Sequence, residues 1–389
     1  MSDERASCAS LLTPTGRGAV AVIAAEGAGA TAAIDAAFRA ANGRSAAAQP
    51  LDRIAFGEWG AGEHREEVIV IRSGDAAFEI HCHGGVAAAQ RILAALESAG
   101  CVIQSQADWA KQRSASLIES EADAVLAQAT TRRTAEMLLN QRNGALQQAV
   151  AAIRELLNAG QLDAACDQLS RLLERAPLGR HLIEPWLVAI AGRPNVGKSS
   201  LINAIVGYQR AIVFDQPGTT RDVLTAETAI DGWPVRLADA AGIRETNDPL
   251  EAEGVARARQ QLQRADLVLW VLDGATLADS PQIAAAREWR EELGVAEIDR
   301  VLIVVNKADR VDARRRAAGG VEFCYTSALT GDGLPALLSA IAKRLVPSPP
   351  QREAIPFTVR QVELLHSALN AANHSHTDEA QALLAQLAL

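Results

Sequence analysis

A glycine-rich loop that ends in lysine and serine is the part of this sequence with the most definite chemistry. The segment GRPNVGKSS, residues 192–200, has the pattern G-x-x-x-x-G-K-S. In such a loop the backbone N–H groups surround a phosphate, the lysine bridges the outer phosphates and the serine hydroxyl ligates magnesium. The pattern therefore predicts a site for a nucleoside triphosphate and magnesium. Its expected members are Gly192, Asn195, Val196, Gly197, Lys198, Ser199 and Ser200.

Paired threonines in PGTTRD, residues 217–222, follow this loop along the chain. The Thr220 hydroxyl can reach magnesium and sense the terminal phosphate, and Thr219 stands beside it. A plain glycine turn would account for Gly218 but not for two threonines. We therefore expect Thr219 and Thr220 to bind the nucleotide, with Thr220 also a magnesium ligand.

The segment DAAG, residues 239–242, ends the next predicted strand. Asp239 is placed to hold magnesium through water, and the Gly242 N–H is placed to meet the γ-phosphate. The next residue is Ile243, so the glutamine that orients the attacking water in Ras-like enzymes does not occupy this position. Glu251 is a candidate for that role, although an ordinary solvated helix start with acidic residues explains it equally well.

Two later motifs are suited to select the base. In NKAD, residues 306–309, Asp309 can accept from both the ring N–H and the exocyclic amine of guanine. Adenine lacks this donor pair and would leave a buried carboxylate unpaired, which costs about 2 to 4 kcal/mol. In SAL, residues 327–329, the Ala328 N–H is offered to the base oxygen. The predicted guanine-binding residues are Asn306, Lys307, Asp309, Ser327 and Ala328.

These motifs need a scaffold that brings them together, and short apolar runs predict one. Runs such as WLVAIA and VLIVV directly precede motifs and alternate with helical stretches between residues 186 and 346. Uninterrupted apolar runs are typical of strands buried on both faces of a parallel sheet, and ligands of such sheets gather at the carboxyl ends of the strands. The sequence therefore predicts a P-loop domain with a doubly wound parallel sheet over residues 186–346.

The rest of the chain predicts two further kinds of structure. Residues 1–115 alternate strand-like runs with alanine-rich helical stretches, among them ATAAIDAAFRAAN at 30–42, and predict an α+β domain. Residues 116–185 show apolar residues at spacings of three and four, which is typical of a helical bundle. Residues 347–389 contain two short helical patterns that cannot bury their faces alone. We expect them to pack on the first helices, so that the α/β domain is an insertion in a split helical domain.

Composition limits the functions of this chain of 389 residues. Its 38 basic and 47 acidic residues give a net charge of −9, so any RNA contact must be a local patch. The five cysteines form no C-x-x-C pair, which favours a reducing compartment and argues against a structural zinc site. His81 and His83 flank Cys82, but three adjacent residues cannot all face one ion, so a strand end is the preferred interpretation. No apolar stretch reaches membrane-spanning length, and we expect a cytoplasmic protein without membrane contact.

The motifs together resemble those of the MnmE/TrmE family of tRNA modification GTPases. GRPNVGKSSLINAI, AIVFDQPGTTRDV, DAAGIRETNDPLEAEG, NKAD and SALTGDGL match the family's G domain, and EIHCHGG is similar to part of its folate-binding domain. The resemblance implies an enzyme that binds GTP and GDP with magnesium, is activated by potassium and forms a homodimer through its G domains. It also implies that Asn195 is the potassium ligand and that Glu251 orients the water, which with Thr220 gives the catalytic set.

The resemblance further implies tRNA as a partner, a flavoprotein partner of the MnmG type and 5-formyltetrahydrofolate as a one-carbon source. The sequence departs from the family pattern at the folate site, because the family's arginine and lysine fall at Ala24 and near Ser114, and only Glu79 remains. It also ends in ALLAQLAL without the family's Cys-Ile-Gly-Lys tail, so the second helical part is expected to be truncated. Two hypotheses therefore stand: a GTPase of wobble-uridine modification, or a divergent regulatory switch that has lost folate and uridine chemistry.

Overall fold

The protein forms two compact units, residues 1–115 and residues 116–389. The computed structural model describes residues 7–13, 18–60, 65–114, 116–210, 225–239, 262–276, 300–311 and 323–388. Across these described ranges, none of the helices has both the length and the apolar character that a membrane span requires.

The first unit is built on a sheet of seven strands. The strands are β1 Cys8–Leu11, β2 Val20–Glu26, β3 Phe38–Ala40, β4 Ile54–Trp59, β5 Glu66–Arg72, β6 Ala77–His83 and β7 Val102–Ile103. The helices are α1 Ala28–Ala37, α2 Val86–Ser98 and α3 Gln106–Arg113. The strand order is β3-β4-β5-β6-β2-β1-β7, and only the β1–β7 pair is parallel among the described pairs. Helices α1 and α2 bury one face of the sheet, and Trp109 of α3 packs on Cys8 and Ala24 of the other face.

The first helix ends earlier than the sequence predicts. Helix α1 stops at Ala37, and the next three residues form β3, which pairs with β4. In this pairing the buried Phe38 lies opposite the buried Trp59. The helical prediction over 30–42 is therefore wrong after Ala37, because burial of two aromatic side chains in a strand pair outweighs the local helical preference.

The second unit begins with a group of helices. They are α4 Leu117–Leu126, α5 Arg132–Arg142, α6 Ala145–Asn158, α7 Leu162–Glu174 and α8 Ala176–Arg180. Ser116 and Thr131 cap α4 and α5 with side chains that accept from N–H groups of the first turn. Gly144 and Gly160, with φ of 98° and 72°, separate α6 from its neighbours. This left-handed conformation is favourable chiefly for glycine, so both residues act as helix boundaries.

The α/β part follows these helices. Its elements are β8 Trp186–Ala191, α9 Lys198–Arg210, β9 Thr225–Ile230, β10 Trp233–Asp239, β11 Leu267–Asp273, β12 Val301–Asn306, β13 Phe323–Tyr325 and α10 Leu334–Leu345. The sheet has the order β13-β12-β11-β8-β10-β9. Its described pairs are parallel except β9–β10. The α/β prediction is confirmed, whereas the expectation of a parallel sheet is wrong at this edge, since the half-exposed sequence TAETAI gives no buried-strand signal.

A hairpin joins the α/β part to the first helices. Its turn is formed by Asp231 and Gly232, with φ of 49° and 76°. The Thr131 hydroxyl donates a hydrogen bond of 2.7 Å to the Gly232 carbonyl, and Arg133 bonds to Asp231 at 3.1 Å. The strand that carries Asp239 is therefore attached at its start to helix α5.

The last two helices, α11 Val359–Asn373 and α12 Thr377–Ala388, pack against α4, α6 and α7. The Arg360 guanidinium donates two hydrogen bonds to the Glu121 carboxylate of α4, at 2.6 and 2.9 Å. The buried Gln361 donates to the same carboxylate and closes a capping box with Thr358. The helices that precede the α/β part along the chain and those that follow it thus share one hydrophobic core.

Candidate functional site

The phosphate loop joins the end of β8 to the start of α9. Gly192, Asn195 and Gly197 have φ of 138°, 64° and 93°. A Cβ on Gly192 would lie 2.3 Å from the Val271 carbonyl oxygen, and one on Gly197 would lie 2.4 Å from Nδ2 of Asn306. Glycine is therefore required at both positions, and the loop turns its backbone towards the N-terminus of a helix, where an anion is stabilised.

Lys198 is the first residue of α9 and reaches back over the loop. Its Nζ donates to the carbonyl oxygens of Gly192 at 2.9 Å and Arg193 at 3.1 Å. Burial lowers the pKa of this ammonium from its ordinary value, and the nearby Asp239 carboxylate acts in the opposite direction. The positive group is thus held at the mouth of the loop, where it can neutralise phosphate oxygens.

Ser199 and Asp239 form a pair of oxygen donors beside the phosphate loop. The Ser199 hydroxyl donates to Oδ2 of Asp239 at 2.9 Å. Oδ1 of Asp239 is buried and has no hydrogen-bond partner within the described residues. A hydroxyl beside a carboxylate with a spare buried oxygen is a hard oxygen donor set, and it fits the magnesium ion that the sequence predicts here.

The NKAD motif, residues 306–309, is attached directly to the phosphate loop. The fully buried Asn306 donates through Nδ2 to the Val196 carbonyl at 2.9 Å. The next residue, Lys307, donates through Nζ to the Asn195 carbonyl at 2.7 Å. Two consecutive residues therefore hold two consecutive carbonyls of the loop, and the phosphate and base motifs form one structure.

The other residues predicted to bind the guanine base lie beside Asn306. The Ser327 hydroxyl donates to Oδ1 of Asp309 at 2.6 Å, which fixes the carboxylate predicted to read guanine. The Ala328 N–H, which the sequence prediction gives to the base oxygen, donates to Oδ1 of Asn306 at 3.1 Å. All five predicted guanine-binding residues are thus brought to one edge of the sheet, and their contacts with a base stay predictions.

Asp273 is a member of this network that sequence reasoning missed. It ends β11, and its Oδ2 accepts from the Lys307 ammonium at 2.7 Å. A signal was available, because an acidic residue ends the run ADLVLWVLD at the edge where the other motifs gather.

The other predicted residues near the phosphate loop differ in exposure. Val196 is buried, Ser200 is exposed in the first turn of α9, and Asn195 is exposed in the loop. Four predicted residues lie outside the described parts of the chain and stay predictions: Thr219, Thr220, Gly242 and Glu251.

The face of the first unit that carries Glu79 is arranged differently from a folate site. Glu79 lies opposite Ala24 in the β2–β6 pair. Ala24 is buried against the Trp109 indole, and the Arg113 guanidinium lies 3.4 Å over that ring and pairs with Glu26. An indole thus covers the position where the resembled family has an arginine. These residues do not fit the cofactor, because the two expected cations are missing and the available arginine is already paired.

The two histidines of β6 each contact a carboxylate. Nε2 of His81 lies 3.3 Å from Glu79, and Nδ1 of His83 lies 2.7 Å from Glu66. Among the residues that the structure describes, no group of three or more His, Cys, Asp and Glu side chains is placed to hold a metal ion together. Strand β6 ends at His83, directly before Gly84 and Gly85, which confirms the interpretation of EIHCHGG as a strand end.

Comparison with known proteins gives relatives over most of the chain. The family model described as 50S ribosome-binding GTPase matches residues 187–307. The tRNA modification GTPase MnmE of Symbiobacterium thermophilum is 32% identical over 97% of this chain and 89% of its own length. The protein of the same name from Synechococcus sp. (strain WH7803) is 33% identical over 95% of this chain and 87% of its own length. Among solved structures, Era of Aquifex aeolicus is 26% identical, with 48% of this chain and 66% of that chain covered and a TM-score of 0.33.

Proposed function

Since this chain belongs to the MnmE family of tRNA modification GTPases, we propose that the GTP it hydrolyses serves the modification of the wobble uridine of tRNA. The observation that carries the proposal is the attachment of Asn306 and Lys307 to the phosphate loop. This attachment supports a single site formed by the NKAD motif and the phosphate loop, as a GTP-specific enzyme needs. The two relatives described as tRNA modification GTPase MnmE supply the link to tRNA.

In the proposed mechanism, charge neutralisation and positioning do most of the work. Lys198 stabilises the negative charge that develops between the outer phosphates, and the Gly242 N–H binds the γ-phosphate. Ser199, Asp239 and Thr220 would hold magnesium, which supplies additional positive charge at the phosphates when bound. Glu251 would orient the attacking water.

Potassium activation and dimerisation are the next part of the proposal. Asn195 is the expected potassium ligand, and its position in an exposed, left-handed turn of the phosphate loop supports that assignment. A monovalent cation at this place would neutralise charge on the phosphates as an arginine finger does in other GTPases. Two G domains closing on each other would exclude water from such a site, and this favours a homodimer.

Hydrolysis rates in potassium and in sodium test this assignment. At equal ionic strength we expect faster GTP hydrolysis in potassium chloride than in sodium chloride. The variant Asn195→Ala should lose most of this difference, because it removes the side-chain oxygen. Asn370→Ala, on the exposed surface of α11, is the matched control and should keep it. Equal rates in the two salts for the unmodified protein would reject the potassium site.

A second candidate function is a regulatory GTP switch without uridine chemistry. The packing of Trp109 on Ala24 favours it, because this face does not fit tetrahydrofolate. We therefore assign no folate step, while a flavoprotein partner of the MnmG type and tRNA belong to the first candidate only.

Complementation separates the two functions. The chain is expressed in a bacterium that lacks its own MnmE, and the wobble uridines of the tRNA are analysed by mass spectrometry. Restored modification supports the first candidate and rejects the switch. Lys198→Ala is the control, and it should bind no GTP and restore nothing. The complementation is repeated with the chain's own flavoprotein partner of the MnmG type expressed beside it. If the chain hydrolyses GTP in vitro but restores no modification even with this partner, the result favours the switch.

A further inference from the structure

We propose that Asp273 is a positioning residue of the GTP site. Its carboxylate holds the Lys307 ammonium on the Asn195 carbonyl and so keeps the phosphate loop in the shape that retains the nucleotide. The inference rests on GTP binding and hydrolysis and does not depend on the tRNA step.

The Lys307 ammonium lies at the centre of the contact between the NKAD motif and the phosphate loop. Nζ of Lys307 lies 2.7 Å from the Asn195 carbonyl oxygen and 2.7 Å from Oδ2 of Asp273. The Lys307 side chain is 30% exposed and that of Asp273 is 16% exposed, so water screens this pair less than a surface pair. A carboxylate on one side of the ammonium therefore directs its remaining N–H groups, one of which reaches the loop.

The Asp273 carboxylate is itself fixed by the end of its strand. Asp273 lies opposite Asn306 in the parallel pair β11–β12. Its Oδ1 accepts from the Ala275 N–H at 2.9 Å, and the Gly274 N–H donates to the Asn306 carbonyl at 2.8 Å. The two carboxylate oxygens therefore act separately, because Oδ1 closes the turn after β11 and Oδ2 faces Lys307.

The loop needs this support because of its backbone. Asn195 has φ of 64° and Lys307 has φ of 58°, and both are non-glycine residues in the left-handed region. Such conformations persist when the surroundings fix them. The bond from Lys307 to the Asn195 carbonyl joins the two turns to each other, and Asp273 provides the counter-charge on the far side of the ammonium.

Steady-state kinetics and nucleotide release of Asp273→Asn test the proposal. This change removes the negative charge and keeps an oxygen for the Ala275 N–H. We expect the KM for GTP to rise about tenfold and a fluorescent GTP analogue to dissociate faster, because a charge-assisted bond is weakened. The kcat at saturating GTP should change less than about twofold, since Asp273 touches no reacting atom. Glu227→Gln breaks the exposed ion pair with Arg236 in the same sheet and should change neither constant.

A double-variant comparison separates positioning from a purely structural role. If Asp273 acts through Lys307, Asp273→Asn should add little to the loss of GTP affinity already caused by Lys307→Met. Asp273→Glu, which restores the charge, should recover part of the affinity and provides a folded variant if Asp273→Asn unfolds. Additive losses in the double variant, or an unchanged KM in Asp273→Asn, would overturn the proposal.

Discussion

The Ser199 hydroxyl and the Asp239 carboxylate are joined by a hydrogen bond of 2.9 Å across the mouth of the phosphate loop. Ser199 lies in the first turn of α9, and Asp239 is the last residue of β10. Strand β8, which leads into the phosphate loop before Ser199, is the direct parallel neighbour of β10, and this pairing brings the end of β10 beside the loop. Because the two oxygen donors lie side by side, we expect the magnesium concentration needed for hydrolysis to depend on Asp239.

The variant Asp239→Asn should need at least about tenfold more magnesium for half-maximal GTP hydrolysis, because the cation loses a full negative charge in its surroundings. Hydrolysis is measured as a magnesium titration at constant GTP and potassium. Asp231→Asn removes the same charge at the other end of this hairpin and should leave the titration unchanged. A titration of Asp239→Asn that superposes on that of the unmodified protein would remove Asp239 from the magnesium site.

Asp309→Asn should weaken the preference for guanine. The carboxylate is held by the Ser327 hydroxyl and is expected to accept from the ring N–H and the 2-amino group. Inosine triphosphate lacks that amino group, so the ratio of ITP to GTP dissociation constants reports on the second bond. We expect this ratio to fall about tenfold or more in the variant, as measured by competition with a fluorescent nucleotide. An unchanged ratio would show that Asp309 does not read the amino group.

The strands and the phosphate loop could be predicted from sequence because their signals are local. WLVAIA and VLIVV are uninterrupted apolar runs, and only a buried strand accommodates them readily. The Asp273–Lys307 contact could not be predicted in the same way, because it depends on side chains from two strands and on a left-handed turn at Lys307. The edge strand β9 could not be predicted because its local signal is missing: its half-exposed residues form no apolar run.

The packing of Trp109 on Ala24 shows a further limit of sequence reasoning. The resemblance to the family predicts a cation at the position of Ala24, but it does not say which residue covers the small alanine side chain. In the structure the Trp109 indole of α3 packs on Ala24, and the Arg113 guanidinium lies 3.4 Å over the ring. Such contacts between residues that are distant in sequence are a property of packing, and a single sequence does not reveal them.

A pair of glycine variants tests the close approach of the segment before α11 to helix α8. A Cβ on Gly179 would lie 1.8 Å from the Pro356 carbonyl oxygen, so Gly179→Ala must displace backbone. We expect a loss of unfolding free energy of about 1 to 3 kcal/mol. Gly207→Ala, inside α9 with open space around the new methyl group, should be neutral or stabilise by up to about 1 kcal/mol. Urea unfolding measures both, and equal midpoints for the two variants would contradict the close contact.

Asp266 should make stability depend on acid pH. His181, buried and stacked at 3.6 Å on Trp186, lies 3.5 Å from Oδ1 of Asp266, and the Leu187 N–H donates to Oδ2 at 2.8 Å. Burial alone would raise the pKa of Asp266, but the hydrogen bonds from His181 and Leu187 and the charges of His181 and Arg180 outweigh it and lower the pKa below its ordinary value.

A lowered folded-state pKa means that the ionised carboxylate stabilises the fold above the ordinary pKa of aspartate, about 3.9, and that this contribution is lost as the pH falls through the lowered value. We therefore expect the unfolding midpoint in urea to decrease steeply with acidification below about pH 4. Asp266→Asn should lower the midpoint at neutral pH and make the acid decrease shallower, because the titrating group is gone. Asp75→Asn removes an exposed carboxylate of the other unit and should keep the original slope. If Asp266→Asn keeps that slope too, the acid dependence has its origin in other carboxylates and the Asp266 network contributes no ionisation-linked stability.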